Sequence, residues 1–143
     1  MIFLKRKHAL KDVEFWIDNS EILHCTFKNV TNNNFKLNLS IVKLYINIVA
    51  KLCDGKPMPF LIDLREAKGT FSILAAKLLA TSPKLEQVRL SEAFIVNSMK
   101  MKLVINSYKR IYEPVTPFQV FGNLEDGVEY CLTIKKDFYG SEH

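Results

Sequence analysis

The sequence predicts an α/β fold in which an N-terminal antiparallel hairpin precedes repeating strand–helix units that build a mostly parallel sheet. Three observations carry this. Residues 13–27 hold two stretches of alternating apolar and polar side chains around the turn-forming Asp18-Asn19-Ser20, the pattern of a hairpin with one wetted face. Pro57 to Gly69 reads PMPFLIDLREAKG. Phe60, Leu61, Ile62 and Leu64 make a brief apolar run that ends in charge, as a buried strand does when it leaves the sheet for a polar loop. Amphipathic helical patterns flank that run on both sides, and strands alternating with helices are the mark of a parallel sheet with crossover connections.

Residues 1–12 form a basic lead-in, and a single domain spans 13–134. Within the hairpin, His24 and Cys25 are sequence neighbours on one strand, so they face opposite sides of the sheet and cannot work as a nucleophile–base pair. Thr31 to Asn34 is polar turn material. A helix is expected from Asn38, a favourable N-cap, to Cys53, with Val42, Tyr45, Ile46, Val49 and Leu52 on one stripe and Gly55 ending it. After the central strand, Phe71, Leu74, Ala75, Leu78 and Leu79 signal a second helix capped by Thr70 or Ser72, which Pro83 stops or restarts. Glu92 to Val96 is a further short strand. A third helix follows with Met101, Val104, Ile105, Tyr108 and Ile111 inward. Pro114 and Pro117 bracket the way to a last strand, Phe118–Phe121. Asn123 caps a final helix whose inner face is Leu124, Val128, Cys131 and Leu132. Gly127 weakens that helix by about 1 kcal/mol relative to alanine. The tail, 135–143, is expected to fray.

Composition narrows the classes of function. With 48% hydrophobic and 24% charged residues, the chain has the balance of a globular domain. No apolar run approaches the roughly 18 residues of a membrane span. The charge near the start follows a very short apolar patch, the reverse of a secretory signal, so the expectation is a cytoplasmic protein. Cys25, Cys53 and Cys131 are far apart and odd in number, which reads as reduced core residues. The net charge of +5 is spread along the chain. Short clusters such as Lys109–Arg110 read as solvated surface, and no basic stripe with exposed aromatics calls for nucleic acid.

The strand exits carry the polar chemistry. In an open α/β sheet, ligands and partners meet the carboxyl ends of the strands. Here that rim collects Asp63, Arg65, Lys68, Thr70 and Ser72, then Asn97, Ser98 and Lys100. Helix starts expose N–H groups and partial positive charge. The second helix has Lys68 before it and no acid in its first turn, and the third has Lys100 and Lys102, so these two starts suit an anion better than the acid-bearing fourth. The plainer roles are a mutual Asp63–Arg65 pair, worth about 0–1 kcal/mol when exposed, and Thr70 and Ser72 as simple caps. No Gly-x-Ser-x-Gly elbow, glycine-rich phosphate loop, Cys/His pairing or metal-ligand spacing is present, so the sequence asks for no enzyme, metal or cofactor.

The order of these pieces resembles the STAS-type fold of SpoIIAA-like anti-sigma-factor antagonists. More narrowly it is similar to a group of bacterial SpoIIAA-like domains. The likeness rests on Leu61-Ile62-Asp63-Leu64-Arg65, on Ala93-Phe94-Ile95-Val96-Asn97-Ser98, and on Val120-Phe121-Gly122-Asn123-Leu124-Glu125-Asp126. It covers roughly residues 13–134. The resemblance implies a non-enzymatic regulatory or protein-interaction module with a protein partner. Phosphorylated STAS proteins carry Asp-Ser-Ser/Thr-Gly beyond the apolar-Asp-Leu strand. This chain has Glu66-Ala67-Lys68-Gly69-Thr70-Phe71-Ser72-Ile73 there, so no phosphorylation-controlled binding is expected. SpoIIAA-like folds are also similar to lipid-carrying CRAL-TRIO domains. The alternative is therefore a binder of a small anionic or lipid-like ligand at the strand-exit rim, and ten phenylalanines, five tyrosines and Trp16 suit it. A partner module should expose an apolar patch near the strand exits, and a ligand carrier should hold an apolar cavity.

Overall fold

The computed structural model describes residues 7–10, 12–28, 36–67, 70–112 and 115–140. Six strands form one sheet: β1 (Lys7–Ala9), β2 (Val13–Ile17), β3 (Leu23–Phe27), β5 (Met58–Asp63), β7 (Arg89–Ile95) and β8 (Phe118–Phe121), hydrogen-bonded in that order. The pairs β1–β2 and β2–β3 are antiparallel, and every pair from β3 to β8 is parallel. The expected hairpin and parallel array are therefore present, and β1 adds an edge strand within the basic lead-in. A second, two-stranded parallel pair joins β4 (Lys36–Leu37) to β6 (Thr70–Phe71). The expected turn at Thr31 to Asn34 lies outside the described residues.

β5 sits at the centre, flanked by β3 and β7. Pro59 within it cannot donate to a ladder, and the register shifts between Met58 and Pro59 to accommodate it. Side chains alternate across the sheet. Phe60 faces a large core with Phe15, Cys25 and Tyr45, which is roofed by α1 (Leu39–Cys53), α2 (Ile73–Thr81), the short α3 (Pro83–Glu86) and α4 (Met99–Tyr112). Leu61 faces the other way, onto Ile22, Ala93, Ile95 and Cys131, under α5 (Leu124–Tyr139).

The caps follow local chemistry. The side chains of Asn38, Ser72 and Asn123 accept from the backbone N–H three residues on, opening α1, α2 and α5. Asp54, in the left-handed conformation, closes α1 just ahead of Gly55. Ser82 ends α2 and caps α3, where Pro83 takes the first helical position.

Four expectations need correction. Phe71 belongs to β6, and α2 turns Ala75, Ala76 and Ala80 inward while Leu74 stays 62% exposed. The small alanines turn inward, and the bulky Ile73 and Leu74 of the first turn are left outside. In α4 the buried positions are Ile105 and Lys109, one turn apart, and Ile111 is 69% exposed. Glu92 on the sheet draws the Lys109 ammonium inward and so sets the rotation of the helix. Leu124 and Leu132 are partly exposed, because among the described residues α5 is the one helix on its face of the sheet and its flanks meet water. Finally, residues 135–139 continue α5 rather than fray. Lys135 donates to the Ser20 carbonyl and pairs with Glu21, and the Tyr139 hydroxyl donates to the Pro57 carbonyl.

Gly127 has a packing reason that outweighs its low helix propensity. A β-carbon there would stand 2.4 Å from Ile95 Cδ1, the tip of a fully buried side chain. Gly127→Ala should therefore destabilise by about 1–3 kcal/mol despite the gain in propensity. In an Ile95→Val background, which removes that methyl, the alanine should cost less or stabilise. Urea denaturation of the four proteins in this cycle measures the coupling, and additivity would refute the contact.

Candidate functional site

The strand-exit rim is a bonded network. Asp63, the last residue of β5, accepts from Arg65 Nε at 2.9 Å and Nη2 at 2.7 Å, and from the Arg65 backbone at 3.1 Å. Burial pushes the Asp63 carboxyl up, but these hydrogen bonds outweigh it and hold the group below the ordinary carboxylate range. Asn97 Nδ2 donates to the Arg65 carbonyl at 3.2 Å, tying the exits of β5 and β7 together. Ser98 Oγ accepts from Met101 N at 3.1 Å and Ser72 Oγ from Ala75 N at 3.0 Å, so both hydroxyls are engaged as helix caps. Thr70 lies in β6, beside Lys36 in the register. Lys68 lies outside the described residues. Lys100 is exposed in the first turn of α4.

Behind this rim lies a cavity of about 710 Å³, between the sheet and α1, α2 and α4. That is within the roughly 300–1,000 Å³ of ligand sites. Its lining is largely apolar and aromatic, with Phe15, Phe27, Tyr45, Phe60, Phe94 and Tyr108 prominent. Ser98 and Lys100 line it at the rim, and Arg89 and Glu92 line it at the opposite, amino-terminal half of β7. On the outer side, Ile73, Leu103 and Ile111 form an exposed apolar groove between α2 and α4. Ala76, Lys100, Val104 and Tyr108 line both spaces, so the α2–α4 seam is the wall that divides them.

Sequence reasoning missed the polar end of the cavity, lined by Arg89 and Glu92, and Lys109 behind it. Arg89, Glu92 and Lys109 have side chains only 3%, 6% and 3% exposed. Lys109 Nζ bonds to Glu92 Oε1 and lies 5.1–5.4 Å from the ring centres of Phe118, Phe94 and Tyr108. Arg89 Nη1 stands 3.6 Å from Glu92 Oε2 and donates to the Leu79 carbonyl at 3.0 Å. Its Nε donates to Thr116 Oγ1 and its Nη2 to the Ala80 carbonyl, at 3.4 and 3.5 Å. Lys109 is therefore not the surface charge its neighbourhood with Arg110 suggested. Two cues were available in the sequence: a glutamate opening the apolar run Ala93 to Val96, and a lysine four residues after the inward-facing Ile105.

On the other face of the sheet, His24 Nε2 bonds to Asp18 Oδ2 at 2.8 Å and its ring stacks on Trp16 at 4.7 Å. Cys25 points into the opposite core, where burial pushes its thiol well up. All three cysteines are buried, and Cys25 and Cys131 are free thiols. Among the described residues no three His, Cys, Asp or Glu side chains gather where they could hold a metal ion, and no helix is long and apolar enough to cross a membrane.

No curated protein matches this sequence. Among solved structures the fold is similar to an uncharacterized protein of the DUF3478 family from Shewanella loihica, which has a SpoIIAA-like fold. The TM-score is 0.59 over 92% of this chain and 98% of the other, at 15% identity. The SpoIIAA-like architecture expected from the sequence is thus present. A family model matches residues 15–135, nearly the whole of the sheet and its helices, and the chain belongs to that family, described as Domain of unknown function (DUF7793).

Proposed function

We propose that this domain binds a lipid-like small molecule in the cavity beneath α1, α2 and α4, with the strand-exit rim as its mouth. The observation that supports this is the cavity itself: about 710 Å³ of aromatic-lined space, where protein interiors of this size are ordinarily close-packed. Besides that mouth, the α2–α4 seam offers a second way in. It already separates the cavity from an apolar groove on the surface, so small movements of α4 would join the two. The test uses the neutral probe N-phenyl-1-naphthylamine, whose fluorescence rises in apolar surroundings. Binding to the native chain should saturate at one site. Val104→Trp, which fills the cavity from its wall, should weaken it at least about tenfold, the scale of losing one well-buried side chain's worth of contact, while the thermal midpoint holds. Equal binding by both proteins would refute the reading.

A second reading is a regulatory module that docks a protein partner, in keeping with its SpoIIAA-like fold. The observation favouring it is the exposed groove, where Ile73, Leu103 and Ile111 meet water beside Lys100. A partner recognised there would be lost with Leu103→Asp, a position that lines the groove and not the cavity, while probe binding in the cavity would survive that change.

A further inference from the structure

Among the described residues, the buried charges at the end of the cavity do not balance. Arg89 and Lys109 bring two positive charges and Glu92 one negative, all within side chains no more than 6% exposed. An unpaired charge in such a place is costly. Burial pushes the Lys109 ammonium down from its ordinary pKa, while Glu92 opposes that shift. Donor capacity is also left over. Arg89 Nη2, which carries two hydrogens, meets one acceptor at 3.5 Å. Lys109, with three, meets Glu92 and otherwise the faces of aromatic rings. Arg89 and Glu92 both line the cavity, so this surplus borders the space proposed above to hold a ligand.

The geometry points to an alkyl-chain monocarboxylate as the occupant, seated head-inward, with its carboxylate at Arg89, where the charge of Lys109 behind Glu92 is felt through the cluster, and its chain running along β7 toward the α2–α4 seam. This rests on the cavity-binding reading and adds to it the charge, number and position of the head group. One carboxylate supplies the one missing negative charge, whereas a phosphate near its dianionic form would overshoot it. The planar guanidinium suits a carboxylate's two oxygens. The rest of the lining, from Phe94 and Phe60 to Val104 and Met101, offers apolar contact to the chain.

The experiment measures the affinities of palmitate and methyl palmitate, both below their aggregation concentrations, by displacement of bound N-phenyl-1-naphthylamine. It uses the native chain and Lys109→Met. The substitution leaves Arg89 and Glu92 as a balanced pair, so the variant is expected to fold, which its thermal midpoint reports. The native chain should prefer the acid by at least about tenfold, the scale of a hydrogen bond to a charged group. Lys109→Met should bind the two alike. Carboxyl-¹³C palmitate provides a second readout that needs no variant. Its carboxyl resonance should stay in its ionised position, when bound to the native chain, to a pH well below that of palmitate in water. Equal affinity of acid and ester for the native chain would overturn the head-group assignment and leave the cavity reading standing. Binding of neither would overturn both. A preference for the acid that Lys109→Met leaves intact would mean that the surplus charge of this cluster does not hold the head, and would overturn the assignment.

Discussion

Glu92→Gln should lower the thermal midpoint by roughly 10–15 °C, from a loss of about 3–5 kcal/mol. The glutamine keeps the size of the side chain and its place on β7 but removes the carboxylate that Lys109 and Arg89 share. Two buried cations are then left facing a neutral amide, and breaking a buried pair from one side is far more damaging than removing the pair. Lys109→Met, by contrast, should cost little. It leaves the Arg89–Glu92 pair in place, and the methionine takes over the ring contacts of the lysine stem. The double variant, with one buried cation fewer than Glu92→Gln, should be partly restored. Differential scanning fluorimetry of the three proteins decides it. If Glu92→Gln melted within a few degrees of the native chain, the cluster would be no buried charge system at all.

The second large effect belongs to the central strand. Leu61→Ala should destabilise by about 3–4 kcal/mol, or roughly 10 °C in the thermal midpoint. Leu61 is 1% exposed and packs with Ile22, Ala93, Ile95 and Cys131 under α5. Its backbone is paired to β3 on one side and β7 on the other, so the strand cannot move to close the space the side chain leaves. α5 already lies against Ile95 at Gly127 and can come no closer. The same truncation at Leu74, exposed on the first turn of α2, should change stability by less than about 0.5 kcal/mol. Guanidinium denaturation of both variants gives the comparison, and similar losses at the two sites would mean that β5 is not the centre of the core.

The elements themselves were legible because the signals that specify them are local. Alternation over five residues marks β2 and β3. Asn38, Ser72 and Asn123 announce helix starts because a side-chain oxygen there meets an N–H only three residues on. The Asp63–Arg65 pair is likewise two residues long. The rotation of a helix is a different matter. The apolar stripe of α4 reads well from Met101 to Tyr108, yet Lys109 points in and Ile111 out, since the deciding partner, Glu92, lies seventeen residues away. For the same reason the pattern placed Leu74 and Leu132 inward, where small residues and a single covering helix leave them partly wet.

By itself, then, the sequence determined an α/β domain with an antiparallel start, a parallel remainder and a polar rim at its strand exits, all from periodicity and capping within a few residues. Only the tertiary structure decided which charges leave water and where the core fails to close. A lysine next to an arginine is indistinguishable from surface until a carboxylate from another strand arrives beside it. An aromatic-rich composition serves a filled core or an unfilled one equally well. Cavity volume is the difference between how much side chain the sequence supplies and how closely the helices approach the sheet, and that second quantity is written in no single stretch of residues.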